Sequence, residues 1–539
     1  MKASLLVHAP KNDGDWGHLP LILNHGVDNL LLRSLIERAK RLGCVTILEE
    51  TAYIDRDFSA VYAAFYAKLF KPLTKFCTRI HFFAADITPA LAQANPAELV
   101  DQLQNCGTHY LGDVVLRPLT HAPVSSARIS ATNLHDATCQ EVSVKSRFAN
   151  HILGAEFVVD AMPLSQQDTR TGACAQAAMW MTGRHFNNRH GSPWFSMPDI
   201  TEVALNPTDA GITQSLPAGS EYLTADNMVR ALRAMGRHPV TYVPDAVVSG
   251  NPTWMNVRPR DVISRYVDSG IPVILGLQQA GTAIGHGVVA VGTERTDNVD
   301  PATFAPSPTA AEYVTHFLVN DDQRGAYCRL PVNAADKSVD YPFCLETDIK
   351  FLLVPLPEKV FMTAEAAELV ARGMLFQVAH QRKHLATSAL PPGTAWDEDP
   401  TFYDLLQTNS AFARTYLTYG WKYKTRMLRN CSSQQAKAEL LGMQLPKYVW
   451  VTEFSRPEET AFLDPCKRLI RAHAVVDATG SRLWDSTLFV NAPGLTTAWQ
   501  YDPRSTSVTP NLIVAADLGS SPYWPKIRGM ADYASCLVS

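Results

Sequence analysis

Two apolar runs joined by a polar turn constrain this chain most. Ile271-Pro272-Val273-Ile274-Leu275-Gly276-Leu277 and His286-Gly287-Val288-Val289-Ala290-Val291-Gly292 are almost continuously aliphatic, the pattern of strands covered on both faces. Gln279-Ala280-Gly281-Thr282-Ala283-Ile284-Gly285 turns the chain back between them. The proline stands near the start of its strand, where a missing N–H is tolerated. Asp261 to Asp268 reads as a helix stopped by Gly270, and Thr224 to Gly236 as a capped amphipathic helix ending at glycine.

At 539 residues the chain is too long for a single hydrophobic core, and about three domains are expected. The pattern divides it into an N-terminal α/β region over 1–150, a middle segment over 151–355 and a C-terminal helical and β region over 356–539. In the first, residues 28–42 carry aliphatic side chains at helical spacing and Cys44 to Leu48 reads as a strand. Phe58 to Leu69 and Arg79 to Ala84 repeat that helix–strand pair, with Asp55, Arg56 and Asp57 as a solvated loop or helix cap. The scattered His18, His25, His81 and His109 share no ligand spacing and are expected to be structural.

Hydrophobic residues make up 46% of the chain and charged residues 19%, with a net charge of -4. That balance gives no global reason to expect nucleic acid or an anionic membrane as partner. No run of about 18 apolar residues spans a bilayer, and the first ten residues are too short in apolar length for a signal segment. The ten cysteines are scattered without C-x-x-C pairs or zinc spacing. No metal or cofactor is expected, and the cysteines fit a cytoplasmic protein with free thiols.

One of those cysteines stands apart. The run Gln166-Gln167-Asp168-Thr169-Arg170-Thr171-Gly172-Ala173-Cys174-Ala175-Gln176-Ala177-Ala178 is a polar, turn-prone approach that becomes an apolar helix at the cysteine. Unpaired amides and the positive end of the helix dipole favour a thiolate there, and the thiolate is the nucleophilic form. About a hundred residues on, His286 opens the second apolar strand, where the valines anchor the backbone and the imidazole projects from the strand's mouth. After an insertion over 300–311, Thr315 to Val319 reads as a further strand ending in Asn320-Asp321-Asp322. A carboxylate placed there can orient an imidazole by accepting its other N–H. Strand alternation lets only one of two neighbours point at His286, so Asn320, Asp321 and Asp322 are alternatives.

From Gln166 to about Val354 the chain resembles the papain-like cysteine peptidases, most closely the bacteriocin-leader (double-glycine) peptidase-like family. The likeness rests on a glutamine before a helix-initiating cysteine and on the Tyr266-Val267-Asp268-Ser269-Gly270-Ile271-Pro272-Val273-Ile274 segment. A Gly-His strand and an Asn-Asp pair after the next strand complete it. The resemblance implies an α+β fold with a papain-like catalytic core over 151–355. It further implies a cysteine peptidase that cleaves a peptide or isopeptide bond in a protein or peptide substrate. Cys174 is then the nucleophile, His286 the general base, Asp321 its orienter, and Gln167 the oxyanion donor alongside the Cys174 N–H. Gln167 stands seven and Gln166 eight residues before the cysteine, where the family has six, so Gln166 is an alternative. Two N-terminal segments, Ala52 to Phe58 and Tyr110 to Pro118, also resemble bacterial proteins carrying the same cysteine motif. An amidase or acyltransferase, or an inactive papain-like scaffold, are the competing readings.

The C-terminal region begins with a helix from Ala364 to His384, followed by a Pro-Pro-Gly linker at 391–393. Phe412 to Asn430 interleaves Arg414, Lys422, Lys424, Arg426 and Arg429 with Tyr416, Trp421 and Tyr423. Such a composition can grip single-stranded nucleic acid, but without a basic domain a solvated helix face is the expectation. Tyr448 to Val451 and Ala474 to Ser481 read as strands of a terminal β module.

Overall fold

The computed structural model describes residues 4–132, 139–168, 173–205, 223–248, 251–282, 285–389, 399–430, 437–438, 441–461, 468–480, 486–493, 495–501 and 508–513. They form an α+β fold built on three antiparallel sheets. The linker at 391–393 lies outside the described residues.

The first sheet runs Leu5–His8, Thr46–Tyr53, Cys77–Phe83, Tyr110–Leu116 and Val124–Ile129 in chain order, every neighbour antiparallel. Helices alternate with strands as the periodicity predicts, yet no pair is parallel. Between the first two strands lie two helices, Asp13–Leu23 and Leu30–Arg41, which reverse the chain twice and return it antiparallel. One face of the sheet buries Ile47, Ile80 and Val114 against Leu31, Leu35 and Ile36. The other buries Leu48, Phe83 and Tyr110 against Phe148 and Phe157 of the hairpin Ser146–Ile152/Ala155–Ala161. Asp55 caps the helix Arg56–Ala64, accepting the Phe58 N–H at 2.8 Å, but it is buried rather than solvated. His81 is also buried, its Nδ1 2.9 Å from the Tyr110 hydroxyl.

The second sheet has the order Gly325–Pro331, Val314–Asp321, His286–Arg295, Val273–Leu277, Ile349–Pro357, Arg237–Tyr242. The two apolar runs pair directly, Leu277 opposite His286 and Gly276 opposite Gly287, and every residue of both strands is buried. A seventh strand, Cys139–Val142, pairs with the far half of His286–Arg295. Gly292 permits that approach: a Cβ there would overlap the Glu141 carbonyl oxygen and lie 2.9 Å from the Val142 Cα. Because the obstacle is backbone and cannot rotate away, Gly292→Ala is expected to cost about 1–3 kcal/mol as overpacking does, read as a lower thermal midpoint.

The third sheet is a six-stranded antiparallel meander, Phe412–Tyr419, Tyr448–Ser455, Ala472–Asp477, Thr487–Ala492, Leu495–Tyr501 and Val508–Ile513. Helices Ala364–Ala389 and Pro400–Gln407 cover one face through Leu375, Phe402 and Tyr403. Helix Gly420–Asn430 covers the other through Tyr423 and Met427. Trp450 ties this sheet to the second: it is fully buried, donates Nε1–H to the Met362 carbonyl at 2.9 Å, and meets the Tyr266 ring edge-on. Arg414 adds a charged clamp, its Nε 2.9 Å from Asp268 on the helix Pro259–Asp268. One continuous apolar cluster, beside three smaller ones, therefore runs from Leu31 through Val289 to Trp450.

Candidate active site

Helix Cys174–His190 starts at the cysteine and lies against the strand His286–Arg295. Its start is fixed by Gln176, whose Oε1 accepts the Ala173 N–H at 3.2 Å. The first bond of the helical ladder runs from the Ala177 N–H to the Ala173 carbonyl. The amides of Cys174 and Ala175 therefore have no partner within the helix, which leaves donors and positive dipole at the thiol. The strand passes beside the helix start at Gly287, where a Cβ would sit in ordinary contact, 3.5 Å from the Cys174 carbonyl oxygen.

Cys174 is half-buried, its Sγ 3.9 Å from the Gly285 carbonyl oxygen, and the thiol lies near enough to His286 to favour the charged imidazole. The imidazole is sandwiched between this thiol and the acids, with the Phe343 ring stacked on it at 5.7 Å. His286 Nε2 lies 3.0 Å from Asp321 Oδ2 and 3.9 Å from Asp322 Oδ1. The Nε2–H direction is off both oxygens, so the contact is a close ion pair rather than a well-aligned hydrogen bond. Burial works against the charged ring. The Asp321 carboxylate beside it, with Cys174 and Asp322, outweighs burial and lifts His286 to about 11.

Asp321 is held from three sides. Its Oδ1 accepts the Gln323 and Arg324 amides at 2.9 and 3.1 Å, and its Oδ2 accepts the Tyr341 hydroxyl at 3.2 Å. Burial pushes its carboxyl up, but His286 and these donors bring it below the ordinary value. Asp322 is fully buried and neither of its oxygens has a well-formed hydrogen bond. Burial and the neighbouring Asp321 raise its carboxyl, against the pull of His286.

Cys174, His286 and Asp321 thus come together. Both adjacent acids also reach the imidazole, which strand alternation does not allow. The strand ends at Asp321 and its pairing shifts register between Val319 and Asp321, so Asp322 is already in the turn. Asn320 points elsewhere, donating to the Pro163 carbonyl at 3.1 Å and accepting the Tyr327 N–H. Gln166 is committed to structure: its Oε1 accepts the Val124 N–H at 3.1 Å and its Nε2 donates to Asn29. Gln167 is half-buried, and its backbone N–H approaches the Asp322 carboxylate, which places it beside the acids. Residues 169–172, between it and the helix, lie outside the described residues.

Cys174 and His286 open into a cleft of ≈ 440 Å³ walled by Leu223, Met228, Leu277 and Phe351, with Lys350 as a charged group. The Phe351 ring covers Gly276, where any Cβ would overlap it. Periodicity could not nominate Leu223, Phe351, Tyr341 or Phe343, because it reports a residue's own face and not the remote element it meets. Among the described residues His286, Asp321 and Asp322 form the one group whose ligand-type atoms, within 4.8 Å of one another, are spaced to hold a metal. Their mutual charge compensation and the three donors on Asp321 describe an ion-paired cluster. No helix among the described residues is long and apolar enough to cross a membrane.

No protein-family model matches the chain, and no curated protein matches it.

Proposed function

We propose that the protein is a cysteine peptidase, with a papain-like arrangement, that hydrolyses a peptide or isopeptide bond through Cys174, His286 and Asp321. The observation that carries this reading is the clustering of a helix-starting thiol, a nearby imidazole at the same cleft and a buried carboxylate 3.0 Å from that imidazole. In the first half-reaction the Cys174 thiolate attacks the scissile carbonyl carbon. The tetrahedral oxyanion is met by the Cys174 N–H, with Gln167 as second donor. The C–N bond breaks as His286 gives its proton to the leaving amine, and a thioester remains. In the second half-reaction His286 takes a proton from water as its oxygen attacks the thioester carbonyl, and the C–S bond breaks to release the acid and restore the Cys174 thiolate beside a protonated His286. Asp321 stays ionised and holds the ring.

Among the free cysteines the environments differ sharply. Burial pushes Cys44 and Cys77 up to about 12 and Cys328 beyond the range of ordinary thiols, and Cys344 is fully buried. Brief treatment of the native protein with iodoacetamide is expected to alkylate Cys174 first and to a stoichiometry of one, as peptide mapping by mass spectrometry reads. Preferential labelling of another cysteine rules out this nucleophile. An amidase or acyltransferase acting on a non-peptide amide shares the same first half-reaction, and the mass of the trapped acyl-enzyme separates it from a peptidase.

A further inference from the structure

At the opposite end of the helix Cys174–His190, about 25 Å from the thiol at 1.5 Å per residue, lies a second and larger cavity of ≈ 750 Å³. It sits between the second and third sheets. Its charged lining is four cations, Arg189, Arg237, Lys359 and Lys447, against one carboxylate, Glu358. Among the described residues Arg237, Lys359 and Lys447 have no carboxylate within ion-pair reach. Arg237 is the most committed of them. Its guanidinium lies 3.6 Å over the Phe186 ring and donates to Ser192 Oγ at 2.6 Å, while its buried Nε–H has no acceptor. The excess positive charge is felt locally: burial, then Arg237 and Arg189, hold the neighbouring His190 down at about 3.

The other wall is aromatic. Tyr419 and Trp421 stand nearly parallel, 6.3 Å apart at 18°, and Trp421 is 57% exposed. Both stand where the strand gives way to the helix, midway along the basic and aromatic stretch in 412–430. The structure splits that stretch: Arg414, Tyr416 and Tyr423 face inward, with Arg414 ion-paired, whereas Tyr419 and Trp421 line the cavity.

Three cations without a carboxylate partner, Arg237, Lys359 and Lys447, suit a phosphorylated group, and aromatics lying nearly parallel suit a planar ring. The helix C-terminus accounts for part of the charge, since cations offset its dipole, but not for four of them beside an open aromatic wall. The volume falls within the range of about 300–1,000 Å³ typical of small-ligand sites, and a cleft of that size holds one nucleotide rather than a strand. We propose that this cavity binds a nucleoside diphosphate-type ligand, its phosphates on Arg237, Lys447 and Lys359 and its ring against Trp421.

The test titrates the full chain with ADP, with inorganic pyrophosphate and with a 12-nucleotide single strand, read by calorimetry and by tryptophan emission. Lys447→Glu and Trp421→Ala change exposed side chains and are expected to fold. ADP is expected to saturate. Lys447→Glu should weaken ADP and pyrophosphate by about tenfold or more, as loss and reversal of a phosphate contact does. Trp421→Ala should weaken ADP about tenfold but leave pyrophosphate within about twofold, the signature of ring stacking. Three results overturn the proposal: no saturable ADP binding at millimolar concentration, ADP binding that neither variant alters, or tighter binding of the oligonucleotide than of ADP. None of these depends on the thiol chemistry, so the site stands or falls apart from the peptidase reading.

Discussion

Replacing Cys174 by alanine is expected to lower turnover of a cleavable peptide by at least about 10⁴-fold, because loss of a nucleophile removes the covalent path altogether. The fall should appear in kcat with folding unchanged: the side chain is half-buried at the first turn of its helix and alanine is the best helix former. Cys344→Ala serves as control, since that thiol is fully buried and away from the cleft lining. It should leave turnover within about twofold, while costing stability as removal of core volume does. A Cys174→Ala protein that retains more than a tenth of its activity places the nucleophile elsewhere.

The second large effect is at Asp321. Asp321→Asn keeps the shape of the side chain but removes the carboxylate 3.0 Å from His286 Nε2. A loss of about 10²–10⁴ in kcat is expected, the range seen when an orienting acid is neutralised. The pH profile should move with it. In the parent protein the charged ring persists far above the ordinary histidine value, to about 11, with burial opposed and overcome chiefly by Asp321. Activity that requires imidazolium to protonate the leaving amine therefore holds into alkaline pH and falls as pH rises through that value. Without the carboxylate, burial is left to pull the ring down, and the alkaline limb should descend to markedly lower pH. Asp322→Asn, 3.9 Å away, should shift the limb less.

Stability follows the same sign. A histidine raised by its partner contributes fully below its ordinary value near 6.5 and loses that contribution as pH climbs toward about 11. The gap in thermal midpoint between parent and Asp321→Asn should accordingly be widest near pH 6 and narrow with increasing pH. An alkaline limb that stays put in Asp321→Asn denies Asp321 its role.

The order Cys174, His286, Asp321 was legible in the chain because each residue sits where an element begins or ends, and such boundaries leave local marks. Ala173-Cys174 opens an apolar helix, Gly285-His286-Gly287 opens an all-buried strand, and Asn320-Asp321-Asp322 closes one. What was not legible depends on partners. The same helix–strand alternation accommodates parallel or antiparallel neighbours, so the meander of the first sheet had no signature in it. The choice among Asn320, Asp321 and Asp322 turned on where the strand stops and slips register, a matter of pairing with Gly325–Pro331. The basic and aromatic stretch around Trp421 has one composition but two fates, because a strand and then a helix turn its residues toward different neighbours.

The pairing of Cys139–Val142 with the strand that carries His286 bears on any attempt to take the protein apart. A fragment starting at residue 151 would retain Cys174, His286 and Asp321 in sequence yet leave one edge of Gly292 to Arg295 without its backbone partners. Unpaired borders of that kind recruit other chains. Dissection there should yield self-association and inclusion bodies, whereas a cut placed ahead of residue 139 keeps the border sealed.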